Sequence, residues 1–151
     1  MKILMVCLGN ICRSPMAEGV MKHKLSIHRK NGHVESAGTG DWHAGEPPDT
    51  RAVQTALRHG IDISDQRARQ IILDDFLNFD RIFVMDRSVY DDVLRLARHS
   101  GHEHKVDFLM NASEPGNNRP VPDPYFGGVD GFEFVFSLID EACEHIALSL
   151  H

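Results

Sequence analysis

Apolar positions along this chain fall into two rhythms. Short continuous apolar runs, the pattern of a strand buried on both faces, predict strands at residues 3–6, 34–37, 81–85 and 105–110. Between them, apolar residues recur at three- and four-residue steps, the spacing of one face of a helix. Met16, Ala17, Val20, Met21 and Leu25 form one such stripe, and Ala52, Val53, Ala56 and Leu57 a second. Val89, Val93, Leu94 and Ala97 mark a helix over 88–98, and Phe132, Phe136, Ile139, Cys143 and Ile146 a last one over about 131–150. Residues 71–79 read as a short helix and connection. The breaks carry their own chemistry. Ser14-Pro15 predicts an N-cap followed by proline at the first helical position, and Asn31-Gly32 lies beyond that helix's end. Asp49 predicts the N-cap of the second helix and Gly60 its stop. Residues 111–128, rich in proline, glycine and asparagine, predict a long loop.

Strand and helix alternate four times, which implies right-handed crossovers. The expected fold is α/β: a three-layer sandwich with a four-stranded parallel sheet and helices on both faces. A chain of 151 residues with no internal repeat, low-complexity tract or linker is expected to form one domain over 1–151.

Composition narrows the function. Hydrophobic residues at 42% and charged residues at 25% are ordinary for a water-soluble protein. Gly9, Asn10 and Arg13 interrupt the apolar N-terminus too early for a secretory signal, and no apolar run approaches the ~20 residues of a membrane span. Three cysteines are too few for a disulfide framework and fit a reducing compartment, so a cytoplasmic location is the simplest expectation. A net charge of -6 argues against a nucleic-acid partner.

In open parallel sheets, ligands bind beyond the carboxyl ends of the strands. The first strand here runs into Cys7-Leu8-Gly9-Asn10-Ile11-Cys12-Arg13-Ser14-Pro15, a C-x5-R pattern followed by Ser-Pro. A helix N-terminus lowers the pKa of a nearby thiol, and a thiolate is a strong nucleophile. The backbone N–H groups of Leu8, Gly9, Asn10, Ile11 and Cys12 can form an anion cradle completed by the helix dipole. Gly9 permits positive φ and close approach, and Asn10 is the next most tolerant residue of that conformation. Arg13 offers a planar fork for two phosphate oxygens. Ser14 can donate toward the Cys7 sulfur and help it leave in a second step. A nucleophile beside an oxyanion site is what phosphoryl transfer through a covalent thiophosphate requires.

This stretch resembles the signature of the low-molecular-weight protein tyrosine phosphatases. Glu35-Ser36-Ala37-Gly38, Ala68-Arg69-Gln70-Ile71, Met85-Asp86 and Asp123-Pro124-Tyr125 match that family in order, across nearly the whole chain. The resemblance implies metal-independent hydrolysis of phosphotyrosine in proteins and of small aryl phosphates, with no cofactor. It makes Cys7 the nucleophile, Arg13 the phosphate ligand and Asp123 the general acid and base. Prolines on both sides of Asp123 would stiffen its loop. The resemblance also implies Ser36 as a brace for Asn10 and Asp86 as a neighbour of Arg13.

Trp42, the sole tryptophan, stands in a Gly- and Pro-rich stretch and not on a helical stripe. The family's pocket rim carries an aromatic there, so Trp42 and Tyr125 are expected to line the substrate cleft and stack on a phenyl ring. Cys12 is expected to pack behind the loop in the reduced protein and, as the family shows, to pair with Cys7 under peroxide. Cys143 belongs to the last helix's stripe and reads as core. His102 and His104 in a polar loop read as solvated and not as metal ligands.

Three departures stand out. The family often has histidine in the stretch before Ala-Arg-Gln, whereas residues 64–70 here are longer and lack it, so the bracing of the loop is expected to differ. Phe126 stands where animal members carry a second tyrosine, which favours a bacterial-type enzyme. Ile11 replaces the threonine of related protein-arginine phosphatases, which favours phosphotyrosine. Thiol-linked arsenate reduction needs two further relay cysteines, and only Cys143 lies beyond the loop. A cysteine phosphocarrier has no use for Arg13 and Asp123, and a binding module with a dead loop would not keep Cys7, Arg13, Ser14 and Asp123 together. The implied partner is a phosphotyrosine-containing protein, a bacterial tyrosine kinase among the candidates. No membrane insertion is expected, and the protein is expected to be a monomer or weak dimer.

Overall fold

The computed structural model describes residues 1–125 and 127–151. Four parallel strands, β1 (Lys2–Cys7), β2 (His33–Gly38), β3 (Arg81–Val84) and β4 (Val106–Phe108), form a sheet in the order β2-β1-β3-β4. The helices are α1 (Arg13–Ile27), α2 (Thr50–Arg58), α3 (Asp74–Asn78), α4 (Arg87–Ala97) and α5 (Val129–Ser149). They cover both faces, so the expected three-layer arrangement is present.

β1 shows why. Its side chains alternate faces, as pleating requires. Ile3, Met5 and Cys7 enter a core built with α1 and α5, whereas Leu4 and Val6 enter a second core with Phe76 of α3 and Val89, Val93 and Ala97 of α4. All five side chains are at most 2% exposed, which a strand covered on both sides must be. α5 supplies the largest apolar share of the first core through Phe132, Phe136, Ile139 and Ile146. Its 21 residues include Asp130, Glu133, Asp140, Glu141 and Glu144, and among the described residues no helix is long and apolar enough to cross a membrane.

Two expectations change. The apolar run 105–110 is strand only over Val106–Phe108; Leu109–Ala112 is a 3-10 turn. Val106 and Phe108 bury in the α4-side core, but Leu109 and Met110 bury in the α5-side core, and the chain turns to reach it. The first helix starts at Arg13 with Cys12 as N-cap, so Ser14 lies inside the first turn and is not the cap. Its hydroxyl is engaged elsewhere, as described below. α1 closes on Arg29 at φ +55°, and the predicted stop at Gly60, φ +80°, does close α2. Phe126 lies outside the described residues.

The sheet order reverses direction at β1: β2 lies on one side of it and β3 on the other. The crevice at such a switch point is where the carboxyl ends of β1 and β3 face a ligand.

Candidate active site

β1 ends on Cys7 and α1 begins at Arg13, so residues 8–12 form the turn between them. Thr39 and Gly40, just past β2, donate backbone N–H groups to the carbonyls of Cys7 and Leu8 at 3.0 Å each, which fixes the start of that turn. The left-handed residue in it is Asn10, at φ +58°; Gly9 is not among the positive-φ residues. A non-glycine residue there costs ~1–2 kcal/mol, and three side-chain bonds hold it. Asn10 Nδ2 donates to Ser14 Oγ at 2.8 Å and to Ser36 Oγ at 3.0 Å, and its Oδ1 accepts the Arg69 N–H at 2.9 Å. In this pose the Asn10 backbone N–H points at Cys7 Sγ, 3.3 Å away. Gly9 serves closeness instead: a Cβ built on it would lie 3.2 Å from His43 Cδ2.

Cys7 is only 2% exposed. Its sulfur lies 3.0 Å from Ser14 Oγ. Ser14 already accepts from Asn10, so its own proton is free for the sulfur or for the more distant Ala37 carbonyl at 3.4 Å. Cys12 is buried as N-cap of α1 with no side-chain capping bond. Burial, and secondarily Asp49, push its thiol far up. Cys143 is fully buried between α1 and α5, and burial pushes its thiol up as well. All three cysteines are free.

Arg13 is buried, and its Nη1 donates to Asp86 Oδ2 at 2.6 Å and to the Val121 carbonyl at 3.0 Å. Burial works against its charge, but Cys7 and Asp86 more than offset that, and the guanidinium is held further into its charged range. Asp86 is itself fixed as the N-cap of α4 through the Val89 N–H at 2.9 Å. Val121 also donates its N–H to the Met85 carbonyl at 2.7 Å, tying the start of the Pro-rich loop to the end of β3. Two residues on, Asp123 brings Oδ2 to 4.0 Å from Arg13 Nη2, and its Oδ1 accepts the Tyr125 N–H at 3.0 Å.

The result is a cleft of about 290 Å³ with Cys7, Ile11, Cys12 and Arg13 at its base and Leu8, Trp42, His43, Asp123 and Tyr125 on its walls. The indole of Trp42 is 67% exposed, so it is a wall residue and not core. It packs against Gly40, where a built Cβ would sit 1.8 Å from Cζ3. Residues 7–14, 42, 123 and 125, singled out in the sequence, therefore converge. Ser36 and Asp86 take the places expected of them. The missing histidine in 64–70 is met differently: Gln66 Nε2 donates to the Pro15 carbonyl at 3.0 Å, and the Arg69 backbone holds Asn10. Sequence reasoning missed His43, adjacent to Trp42, and Arg51, two residues past the Asp49 cap. Only that adjacency pointed to them. His102 caps the surface 3-10 turn before β4 and His104 lies within it, and among the described residues no three His, Cys, Asp or Glu side chains gather as a metal would need.

Comparison with known proteins agrees with this geometry. The family model for low molecular weight phosphotyrosine protein phosphatases matches residues 2–151. A Synechocystis protein assigned as a low molecular weight protein-tyrosine-phosphatase is 40% identical over 152 residues, covering 99% of this chain and 96% of its own. The crystal structure of an Entamoeba histolytica protein tyrosine phosphatase with Hepes in its active site superposes with TM-score 0.91 at 37% identity, covering 98% and 95% of the two chains. The structure of a Drosophila arginine phosphatase gives TM-score 0.89 at 34% identity, covering 97% and 95%. With its sheet order, its cysteine turn and this match over residues 2–151, the chain belongs to the low molecular weight phosphotyrosine protein phosphatase family.

Proposed function

We propose that this protein hydrolyses phosphotyrosine in proteins, and small aryl phosphates, through a cysteinyl-phosphate on Cys7. The observation that carries the reading is the meeting of Cys7, Arg13 and Asp123 in one cleft, with Arg13 Nη2 4.0 Å from the Asp123 carboxylate. The Cys7 sulfur attacks phosphorus as the bond to the phenol oxygen breaks, and Asp123 protonates that oxygen. The backbone N–H groups of 8–12 and the Arg13 fork hold the three non-bridging oxygens at the α1 N-terminus. Asp123 then takes a proton from water as it attacks phosphorus. Phosphate is released, and the departing sulfur is met by the Ser14 hydroxyl. Trp42 and Tyr125 flank the ring of the substrate.

Metal-free hydrolysis of para-nitrophenyl phosphate, with EDTA present, is the direct test. The wild type is expected to be active and Cys7→Ser inactive; activity surviving in Cys7→Ser overturns the mechanism. Because an arginine phosphatase shares the fold, phosphoarginine belongs in the same assay. Ile11 and the aromatic walls favour the flat ring, so phosphotyrosine is expected to be the better substrate. Under peroxide, Cys7 and Cys12 are expected to lose their two thiol hydrogens and join, which mass mapping reads. For this protein we infer further a cytoplasmic location, one domain over 1–151 and a monomer or weak dimer. It acts on a phosphotyrosine protein such as a bacterial tyrosine kinase.

A further inference from the structure

The chain between the 3-10 turn after β4 and the start of α5 holds turns but, among the described residues, no helix or strand. Its general acid candidate must nevertheless stand still relative to Cys7. Before Asp123, the two bonds of Val121 supply that anchor. After it, Arg51 Nη1 donates to the Tyr125 carbonyl at 2.7 Å and to the Gly127 carbonyl at 3.4 Å. The guanidinium also lies over the rings of Tyr125, at 5.2 Å, and Phe132, at 4.8 Å.

Arg51 is in turn held from behind. Its Nε and Nη2 donate to the two oxygens of Asp49, each at 3.0 Å. Asp49 caps α2 through the Arg51 N–H at 2.8 Å, and its own backbone N–H donates to the Ile11 carbonyl in the cysteine turn at 2.8 Å. A continuous hydrogen-bonded path therefore runs from the Ile11 carbonyl through Asp49 and Arg51 to the Tyr125 carbonyl. It spans the two loops on which the nucleophile and the acid stand. Only a planar fork with several donors makes all these bonds together; a lysine ammonium does not.

We propose that Arg51, oriented by Asp49, is a positioning residue that sets the acid-bearing loop against the phosphate-binding turn. This rests on Asp123 being the general acid. A shift of about 1 Å in a catalytic group costs as much as 10²-fold in rate, so a partial loosening is expected to cost ~10-fold.

The test compares kcat/KM for phenyl phosphate, whose leaving group needs a proton, with 2,4-dinitrophenyl phosphate, whose leaving group does not. Arg51→Gln is expected to lose ~10-fold on the first and under about 2-fold on the second. The inhibition constant of inorganic phosphate is expected to stay within about 2-fold, since Arg13 and the turn are untouched. Arg51→Lys is expected to remain defective on phenyl phosphate, and it carries the same comparison if Arg51→Gln does not fold. In an Asp123→Ala background, Arg51→Gln is expected to add nothing on phenyl phosphate. Equal losses on both esters, full rescue by lysine, or additive losses overturn the proposal. If Asp123→Ala shows the leaving-group dependence and Arg51→Gln does not, only the role of Arg51 falls. If Asp123→Ala itself shows none, the acid assignment falls and this inference with it.

Discussion

The sulfur of Cys7 and the hydroxyl of Ser14 stand 3.0 Å apart, and Ser14 is kept in place by the Asn10 amide at 2.8 Å. Because Asn10 donates, the serine proton is available to a sulfur carrying negative charge. That charge is greatest when the S–P bond breaks, in the second half of the reaction. Ser14→Ala is therefore expected to slow dephosphorylation by ~10-fold or more, about 1.4 kcal/mol or above, while forming the phosphoenzyme at closer to the normal rate. Rapid-mixing kinetics with para-nitrophenyl phosphate should show a burst followed by a depressed steady state. Equal slowing of both phases contradicts this role.

Trp42 owes its orientation to the bare backbone of Gly40 beneath it. A methyl group there cannot coexist with the indole, given the 1.8 Å approach of a built Cβ to Cζ3. Gly40→Ala is expected to swing Trp42 off the cleft wall. KM for aryl phosphates should rise by about 3- to 10-fold, the ~0.5–1.5 kcal/mol of an aromatic pair, while inhibition by inorganic phosphate stays unchanged. As the chain has one tryptophan, its fluorescence reads the movement directly. A shifted emission spectrum with unaltered KM removes Trp42 from the cleft.

Asp86 has two duties, partner of Arg13 and cap of α4. Removing one member of a buried ion pair costs ~3–5 kcal/mol. The Asp86 side chain is 27% exposed, which lets water soften the loss. Losing a cap costs ~1 kcal/mol. Asp86→Ala is expected to lower stability by about 2–4 kcal/mol in urea denaturation. Asp86→Asn, which keeps the cap, is expected to lose less stability but still to weaken phosphate binding, because Arg13 loses the charge-assisted bond that orients its guanidinium.

Asp49 gives a pH dependence. Hydrogen bonds from the Arg51 side chain, then from backbone N–H groups, hold its carboxyl below the usual range. A depressed carboxyl adds stability above its unfolded pKa of ~3.9 and loses it as pH falls through the lower folded value. Asp49→Asn is thus expected to cost about 0.5–1 kcal/mol near pH 7 and almost nothing near pH 2. Thermal melts at the two pH values check this; a cost independent of pH contradicts it.

The local order along the chain was decided by sequence. Apolar periodicity placed the four strands and five helices within a few residues, since each must bury a face whose spacing is set by backbone geometry. The turn from Cys7 to Arg13 was legible because nucleophile and helix start lie within seven positions, but Asn10 and not Gly9 takes the left-handed conformation, and Ser36 and Arg69 hold it from a distance. Tertiary structure decided the rest. Where Arg13 points depends on Asp86 and Val121, 73 and 108 residues away. What brings Asp123 to it is the pairing of β1 with β3, which puts both strand ends at one edge. Ser14 reads as a cap by local rules, yet Asn10 and Cys7 claim its hydroxyl. Arg51 looks like one more surface charge until the chain folds and sets the Tyr125 carbonyl before it. Such contacts carry no periodicity, because each is a single bond between segments that only the packed sheet brings within reach.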